Sequence, residues 1–280
     1  MAVKFIIDTC CDLNIQQAEA MGITLIPMVI RFGTEEYRSG LDISNEEFYQ
    51  KLATCQDNPT TSQPAPFVFE QAYEKIVQDG DEAVVLCVSS SLSGTYQSAT
   101  IAADGYEDRI YVVDTKSVSL GEKILLDYAM ILKDRGFCAK EIAAELEHKK
   151  QDVRIYGAVE TLEYLIRGGR LSKAAGAVGS VLGIRPVLCM TDGTLGVAGK
   201  ARGPKAAIAM THKLITQAGV DMSLPCAIGY TGSDASTPEP FLQSQDSVWY
   251  GTEAPLYNIG STVGTHTGPG LYLAAFFCKS

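Results

Sequence analysis

Hydroxyl side chains and a glycine directly follow an apolar run of the sequence, in the segment Ser89–Thr95. The run itself, Ala83–Val88, predicts a strand buried on both faces, and a helix is expected to begin after the hydroxyls. In an α/β fold, ligands bind at the carboxyl ends of strands, where free helix N–H groups favour an anion. Ser93 and Thr95 add hydroxyls, and Gly94 lets a ligand approach the backbone. The segment is therefore either a carboxylate or phosphate site or a serine N-cap without a ligand.

A second pair of hydroxyls, Thr61 and Ser62, precedes a helix predicted over Pro64–Gln78. Either side chain could cap that helix, which is the usual role of such residues. They could also supply further donors to the same anion. The sequence leaves both roles open.

Basic residues concentrate in one part of an acidic chain. The 280 residues include 23 Lys and Arg and 33 Asp and Glu, a net charge of −10, yet residues 165–205 hold seven basic residues and one acidic residue. Arg170 and Arg202 belong to this stretch, and a guanidinium group pairs with carboxylate or phosphate in a planar fork. The local excess favours an anionic ligand or an acidic partner over a solvated face. The acidic balance of the whole chain argues against nucleic acid as a partner.

The histidine at position 266 lies in a glycine-rich segment, Gly264–Gly270, which we expect to be a turn-forming loop. Loop residues often carry function, and an imidazole suits contact with an anion. Together with Ser93, His266 could also serve a Ser/His hydrolase. That alternative is weakened because the sequence has no G-x-S-x-G elbow and no clear acid to orient the histidine.

Motifs for cofactors and metals are missing from the sequence. No G-x-x-x-x-G-K-[ST] loop, dinucleotide fingerprint or zinc spacing is found, so we expect no cofactor, no metal and no catalytic residue. The N-terminus reads as a strand, not as a signal peptide, and no apolar run is long enough to span a membrane. Eight cysteines without a C-x-x-C pair fit reduced thiols. We therefore expect a cytoplasmic protein without stable membrane insertion.

Alternating strand and helix patterns predict the elements that position these residues. The first part of the chain predicts a mostly parallel sheet with helices on both sides, and Ser44 with Glu47 has the spacing of a capping box. Its other predicted elements are strands Val3–Ile7, Thr24–Ile30 and Arg109–Asp114 and helices over about 45–54, Gly94–Asp104, Gly121–Arg135 and Ala139–Gln151.

The net charge and the pattern of predicted elements change near residue 155, which predicts a boundary between two domains, 1–155 and 156–280. The net charge is −11 before this boundary and +1 after it. The predicted elements of the second domain are helices Thr161–Ile166 and Lys205–Ala218 and strands Ile184–Met190, Thr194–Gly199 and Pro225–Tyr230.

Several short motifs, in a fixed order over nearly the whole chain, resemble those of the DegV family, the fatty-acid-binding subunits of bacterial fatty acid kinase. The motifs are Ile7-Asp8-Thr9 with Asp12-Leu13, Thr61-Ser62-Gln63-Pro64, Ser90-Ser91-Leu92-Ser93-Gly94-Thr95-Tyr96, Val113-Asp114-Thr115, Gly168-Gly169-Arg170-Leu171-Ser172, Arg185-Pro186, Asp192-Gly193 with Lys200 and Arg202, and Gly264–Gly270 around His266.

The resemblance implies a two-domain α/β fold, with a mostly parallel sheet in the N-terminal domain and an α/β C-terminal domain. It implies a fatty acid buried lengthwise in a tunnel, and a separate ATP-binding kinase subunit that phosphorylates the acid for phospholipid metabolism. The implied carboxylate contacts are Thr61, Ser93 with Gly94, and His266, and the neighbouring Ser62 and Thr95 join them as candidates. Arg170 and Arg202 match positions at the site mouth, where the kinase and the acyl-phosphate would be met.

Three hypotheses follow: a fatty-acid carrier, a Ser/His hydrolase, and a protein that binds a small non-lipid anion. A carrier would bind a fatty acid and interact with a kinase subunit, and it would contact a membrane surface at most transiently. An acyl tunnel must be long and apolar, and the small residues of Ala174–Gly183 could line it or pack helices tightly.

Overall fold

The protein is described by a computed structural model that covers residues 1–55, 57–171, 183–234, 236, 238–249 and 254–279. In this part of the chain the strands are β1 Val3–Asp8, β2 Ile23–Ile26, β3 Val29–Phe32, β4 Glu35–Arg38, β5 Thr60–Ser62, β6 Glu82–Cys87, β7 Ile110–Asp114, β8 Val153–Ala158, β9 Ile184–Thr191, β10 Thr194–Arg202, β11 Cys226–Tyr230, β12 Leu256–Asn258 and β13 Tyr272–Phe277. The α-helices are α1 Ile15–Ala20, α2 Asn45–Thr54, α3 Pro66–Gln78, α4 Thr95–Ala102, α5 Leu120–Asp134, α6 Ala139–Lys149, α7 Glu163–Arg167, α8 Pro204–Ala218, α9 Glu239–Trp249 and α10 Ser261–Thr267.

A four-stranded parallel sheet in the order β2-β1-β6-β7 organises the first part of the chain. Strand β6 is buried at every position, as its uninterrupted apolar run predicts. Helices α3 and α4 cover one face through Phe69, Tyr73 and Ala99. The other face packs against α5 and α6. The predicted parallel sheet with helices on both sides is confirmed.

A six-stranded mixed sheet in the order β10-β9-β8-β13-β11-β12 organises the second part. Its neighbours are antiparallel except β11 and β12, which are parallel. Its outer face packs against α8 and α9 through Ala207, Ile215 and Phe241. The α/β class predicted for this part is therefore confirmed.

Helix α5 lies between the two sheets and joins them into one core. Its residues Leu120, Ile124 and Leu125 belong to the same buried cluster as Ile7 of β1 and Leu273 of β13. The boundary predicted near residue 155 falls inside β8, a strand of the six-stranded sheet. The division into domains at that residue stays a prediction.

The strand predicted over Thr24–Ile30 is wrong, because the structure has two strands there in different sheets. Strand β2 ends at Ile26 and pairs with β1, whereas β3 begins at Val29 and pairs with β4 and β5 in a small antiparallel sheet. Pro27 lies between them, and its missing N–H and fixed φ explain the break.

Two further local predictions are corrected. Neither Thr61 nor Ser62 caps α3, because both lie in β5 and the N-cap is Ala65 with Pro66 at the first helical position. The segment Gly264–Gly270 around His266 is not a loop throughout. Its residues up to Thr267 belong to helix α10, which begins at Ser261. The segment Ala174–Gly183, predicted to line a tunnel or to pack tightly, lies outside the described residues except for Gly183.

Helix α2 begins with the capping box that the sequence predicts. The Ser44 hydroxyl accepts from the Glu47 N–H, and the Glu47 carboxylate accepts from the Ser44 N–H. Within the described ranges, none of the helices has the length and apolar character needed to cross a bilayer.

Candidate functional site

A space lined mainly by apolar side chains, here called the inner cavity, lies between the parallel sheet's carboxyl edge and the inner face of the six-stranded sheet. The apolar residues that line it are Met28, Val88, Leu92, Val118, Ile155, Leu165, Leu188, Met190, Leu195, Val263, Leu271 and Leu273. Such a space suits a long apolar ligand.

A cluster of polar side chains from distant parts of the chain lines the same cavity. Thr61, Ser93, Arg170 and His266 are the members that we assign to an anion. The other lining hydroxyls, on Ser119, Thr262 and Thr267, bond to Asp12, Thr9 and Val263. The Thr61 Oγ1 atom lies 2.7 Å from His266 Nε2, across 205 positions of sequence. The Ser93 Oγ atom lies 2.8 Å from the Thr95 hydroxyl. Two hydroxyls, one imidazole and one guanidinium therefore meet at one boundary of an apolar space.

The imidazole of His266 is neutral near pH 7. Burial disfavours its charged form, and the nearby charge of Arg170 adds to the effect, so that the pKa falls to about 4. Its Nδ1 atom is buried and has no hydrogen-bond partner among the residues that the structure describes. The other nitrogen, which contacts Thr61, is the one through which the ring can exchange hydrogen bonds with a ligand oxygen.

Gly168 leaves the space that the imidazole occupies. A Cβ atom at this position would lie 2.2 Å from His266 Nδ1, so the imidazole would have to move to accept it. Gly168 ends α7 with an ordinary helical backbone conformation, so the glycine is required by the close approach and not by its φ angle. The Gly-Gly-Arg motif thus shapes the histidine site as well as supplying Arg170.

The guanidinium group of Arg170 is half-buried and anchored by backbone oxygens. Its Nε atom donates to the carbonyl of Leu92 at 3.1 Å, and Nη1 donates to the carbonyl of Gly168 at 2.6 Å. These bonds tie the motif after α7 to the serine segment after β6. They hold a fixed positive charge beside the neutral histidine, where an anion is attracted.

Strand alternation separates Thr61 from its neighbour. Successive side chains of a strand point to opposite faces. Thr61 of β5 therefore lines the cavity, whereas Ser62 is exposed on the other face. Of the predicted carboxylate contacts, Ser62 is not brought to the cluster.

The turn into α4 places Ser93 at the cavity and keeps Gly94 and Thr95 outside its lining. Gly94 is the N-cap of α4, and a Cβ there would lie 2.1 Å from the amide oxygen of Gln63. Gln63 in turn donates to the Ser98 hydroxyl at 3.0 Å. Gln63 belongs to the motif around Thr61, but its bridging role became visible only in the structure. Thr95 touches the site indirectly, through the Ser93 hydroxyl.

Helix α10 brings His266 to Thr61 because its N-terminal end is bonded to the first part of the chain. The Asp12 carboxylate accepts from Gly260 N at 2.9 Å and from the Ser119 hydroxyl. The Tyr49 hydroxyl donates to the carbonyl of Ile259 at 2.9 Å. Close packing follows, since a Cβ on Gly264 would lie 2.6 Å from the Tyr49 hydroxyl.

Arg202 lies apart from the cavity lining. It ends β10, pairs with Ile184 of β9 and is exposed. Arg170 thus lines the cavity, whereas Arg202 is exposed and is not among its described lining residues, and its position at the site mouth stays a prediction.

A Ser/His hydrolase needs a serine bonded to a histidine that is itself oriented by an acid. Here the nitrogen of His266 that makes a side-chain hydrogen bond meets Thr61, and Ser93 bonds to Thr95. Within the described ranges, the second nitrogen of the imidazole meets no acid and no other hydrogen-bond partner. The geometry does not build the triad.

Fold and cavity together define a class: an α/β protein of two packed sheets that encloses an apolar cavity with a polar, positively charged boundary. The model of the family described as "Uncharacterised protein, DegV family" matches residues 2–279. A DegV domain-containing protein of Caldanaerobacter subterraneus subsp. tengcongensis is 31% identical over 272 residues, 95% of each chain. The chain belongs to the DegV family, as its motifs predicted.

Solved structures of fatty-acid-binding proteins share this fold. A DegV family protein from Thermus thermophilus, reported with fatty acid binding, is 31% identical, with a TM-score of 0.87 over 99% of this chain and 100% of the other. A stearic-acid-binding protein from Eubacterium ventriosum is 27% identical, with a TM-score of 0.87 over 99% of this chain and 98% of the other. These similarities agree with the predicted two-domain DegV-like fold.

Proposed function

We propose that the protein binds one long-chain fatty acid in the inner cavity and presents its carboxylate to a separate ATP-binding kinase subunit. The observation that carries the proposal is the polar cluster of Thr61, Ser93, Arg170 and His266 at the boundary of a cavity whose other described lining residues are mainly apolar. That combination fits an amphiphile with an anionic head and a long apolar tail. The fatty-acid-binding structures of the same fold support it.

The head group is recognised by hydrogen-bond donors and by charge. The hydroxyls of Thr61 and Ser93 donate to the two carboxylate oxygens, and the neutral His266 donates an N–H. Arg170 supplies the compensating charge, because a buried carboxylate without a partner would be strongly disfavoured. Hydrogen bonds to a charged group contribute about 1.5–3 kcal/mol each, so the cluster can select an acid over an ester or an alcohol.

The tail supplies most of the binding free energy. Each buried methylene contributes about 0.8 kcal/mol, so a chain of ~16 carbons contributes on the order of 10 kcal/mol before the costs of association. The carboxylate contacts then fix the direction in which the chain enters.

Phosphorylation would join a carboxylate oxygen to the γ-phosphorus of ATP, with ADP leaving and an acyl-phosphate remaining on the carrier. This chain has no Walker-type loop, so the nucleotide is assigned to the partner subunit. The exposed Lys200 and Arg202 are placed on a surface where an acidic partner can dock. Transient contact with a membrane surface would deliver and collect the acid in the cytoplasm.

The test combines the purified protein, a long-chain fatty acid, Mg-ATP and the candidate kinase subunit, with hydroxylamine to trap acyl-phosphate. We expect trapped product only when all components are present. Arg202→Ala should retain the fatty acid and lose most of the product. Hydrolysis of an ester by the protein alone, abolished by Ser93→Ala, would contradict the proposal and restore the hydrolase hypothesis.

A further inference from the structure

The inner cavity has a second end, opposite the polar cluster. Strand β8 runs from Val153 towards Ala158, and the chain then enters α7 and reaches Arg170. Pairing with β13 sets Ala158 opposite Tyr272, five residues after the end of α10, and sets Ile155 opposite Ala275, three residues and therefore roughly 10 Å farther along the sheet. Ile155 lines the cavity at this level, which is remote from His266. Antiparallel pairing of β9 with β8 sets Cys189 opposite Tyr156, which brings Met190 to the level of Ile155.

A separate pocket that opens towards the surface, here called the outer cavity, adjoins this remote end. Cys189 and Met190 line both cavities. Met190 belongs to the edge of the main core and pairs across the hairpin with Leu195, another residue of the inner cavity. Its side chain is half-buried, as expected of a wall between an interior and an opening.

The outer cavity differs in character from the inner one. Lys116, Lys150 and Arg154 line it. The Lys116 ammonium pairs with Asp114 at 2.7 Å, and the Lys150 ammonium pairs with Glu147 at 2.6 Å. A methyl terminus that passed Met190 would leave apolar surroundings for paired charged groups and would gain nothing from burial there.

We propose that Met190 closes the remote end of the inner cavity and sets the longest acyl chain that the protein accepts. This inference rests on the proposed function, because it assumes that a fatty acid lies with its head at the Thr61–His266 end. An unbranched thioether is suited to such a wall, since it adapts to the end of a flexible chain while keeping the cavity apolar.

The experiment compares wild type with Met190→Ala and Met190→Phe. Displacement of a bound fluorescent fatty acid gives dissociation constants for myristic, palmitic, stearic and arachidic acids. Removing the thioether lengthens the apolar space, so Met190→Ala should raise the affinity for arachidic relative to palmitic acid by about tenfold. The larger ring of Met190→Phe should shift the preference towards myristic acid.

Met28→Ala is the matched control, because it shortens a methionine of the same cavity near the other end. Met28 contacts the Thr95 hydroxyl through its sulfur at 3.6 Å. It should weaken binding of all four acids to a similar degree, without a shift in length preference. The opposite shifts expected of the two Met190 variants are not produced by a general loss of stability.

Two outcomes separate the claims. If wild type binds the acids but both Met190 variants keep its length preference, only the assignment of Met190 is overturned. The same holds if Met28→Ala shifts the length preference as much as Met190→Ala does. Failure of wild type to bind any of the four acids would overturn the proposed function and this inference with it.

Discussion

At the scale of single residues, the site depends on which of two adjacent hydroxyls points inwards. Thr61 reaches His266 Nε2 at 2.7 Å, while Ser62, the next residue of β5, faces solvent. Thr61→Ala should weaken fatty acid binding by about 1–3 kcal/mol, which is a five- to 150-fold rise in Kd, because it removes a hydrogen bond to a charged group. Titration calorimetry with palmitic acid measures the change.

Ser62→Ala is the control for this prediction, since it removes the same hydroxyl from the same strand. We expect its Kd to equal that of wild type within a factor of two or so. Equal losses in both variants would show that β5 acts through stability and that Thr61 does not contact the ligand.

Two adjacent glycines make a second residue-scale pair. Gly168 has a helical backbone, but a Cβ there would lie 2.2 Å from His266 Nδ1; Gly169 has open space around it but a φ of +71°. Gly168→Ala should therefore displace the histidine and weaken binding at nearly unchanged stability. Gly169→Ala should lower the free energy of unfolding by about 1 kcal/mol through backbone strain and leave binding nearly intact.

Urea unfolding and calorimetry on the two variants separate these effects. A binding loss confined to Gly169→Ala, with Gly168→Ala behaving like wild type, would mean that His266 does not need the space that Gly168 provides.

At the scale of elements, helix α10 is where sequence reasoning fell short. Glycine and β-branched threonine are poor helix formers, so Gly264–Gly270 reads locally as a loop. Tertiary packing decides otherwise, because Gly264 lets α10 lie directly on Tyr49 of α2. That contact joins residues more than 200 positions apart and leaves no local signal in the sequence.

Other elements were predictable because their signals are local. The apolar run of β6 and the capping box of α2 needed no long-range information, and both are confirmed. The orientation of Thr61 against Ser62 was not predictable, since a three-residue strand has too few positions to show its alternation. Arg170 was found from its motif, whereas the role of Gly168 depends on a distance to a remote helix.

The buried carboxylate of Asp12 ties α10 to the start of α5 and makes this junction sensitive to pH. Burial raises its pKa to about 7, although hydrogen bonds from Ser119 and Gly260 oppose the shift. The folded state holds the proton more tightly than the unfolded state, whose pKa is near 3.8. Asp12 therefore contributes stability below about pH 4, and this contribution is lost as the pH rises towards 7.

Asp12→Asn should remove this dependence while keeping both hydrogen bonds, since an amide can donate to Ser119 and accept from Gly260. We expect the variant to gain stability relative to wild type between pH 4 and 8, by up to on the order of 4 kcal/mol. Urea unfolding at several pH values measures the difference. A difference that does not change with pH would contradict the assigned titration, and Asp12→Ala should be less stable than Asp12→Asn because it leaves the Gly260 N–H without its acceptor.

At the scale of the whole molecule, the structure locates the basic residues that the sequence concentrates in 165–205. Some arginines of the basic stretch are locally paired, since Arg185 meets Glu160 at 2.6 Å and Arg167 meets Glu163 at 3.5 Å. Arg170 lies at the cavity, and Lys200 and Arg202 are exposed on β10. The acidic excess thus belongs to residues 1–155, with a net charge of −11, while basic residues of the second part divide between a ligand site, local ion pairs and a surface proposed for docking.

The two sheets and α5 enclose the cavity only when packed together, because β1, β6, β8, β9 and β13 all border the same core. Ligand binding should therefore stabilise the packing of both sheets and not one alone. A single cooperative unfolding transition that shifts to higher temperature with palmitic acid is the expected signature.

The central claim is that a free fatty acid occupies the inner cavity with its carboxylate held by Thr61, Ser93 and His266. Quantitative mass spectrometry of organic extracts tests it most directly, on protein purified without added lipid and on a His266→Ala variant purified in parallel. We predict about one long-chain free fatty acid per wild-type chain and a clear reduction in the variant. Wild-type protein that carries no acyl species, or that carries only esters or phospholipids, would contradict the account.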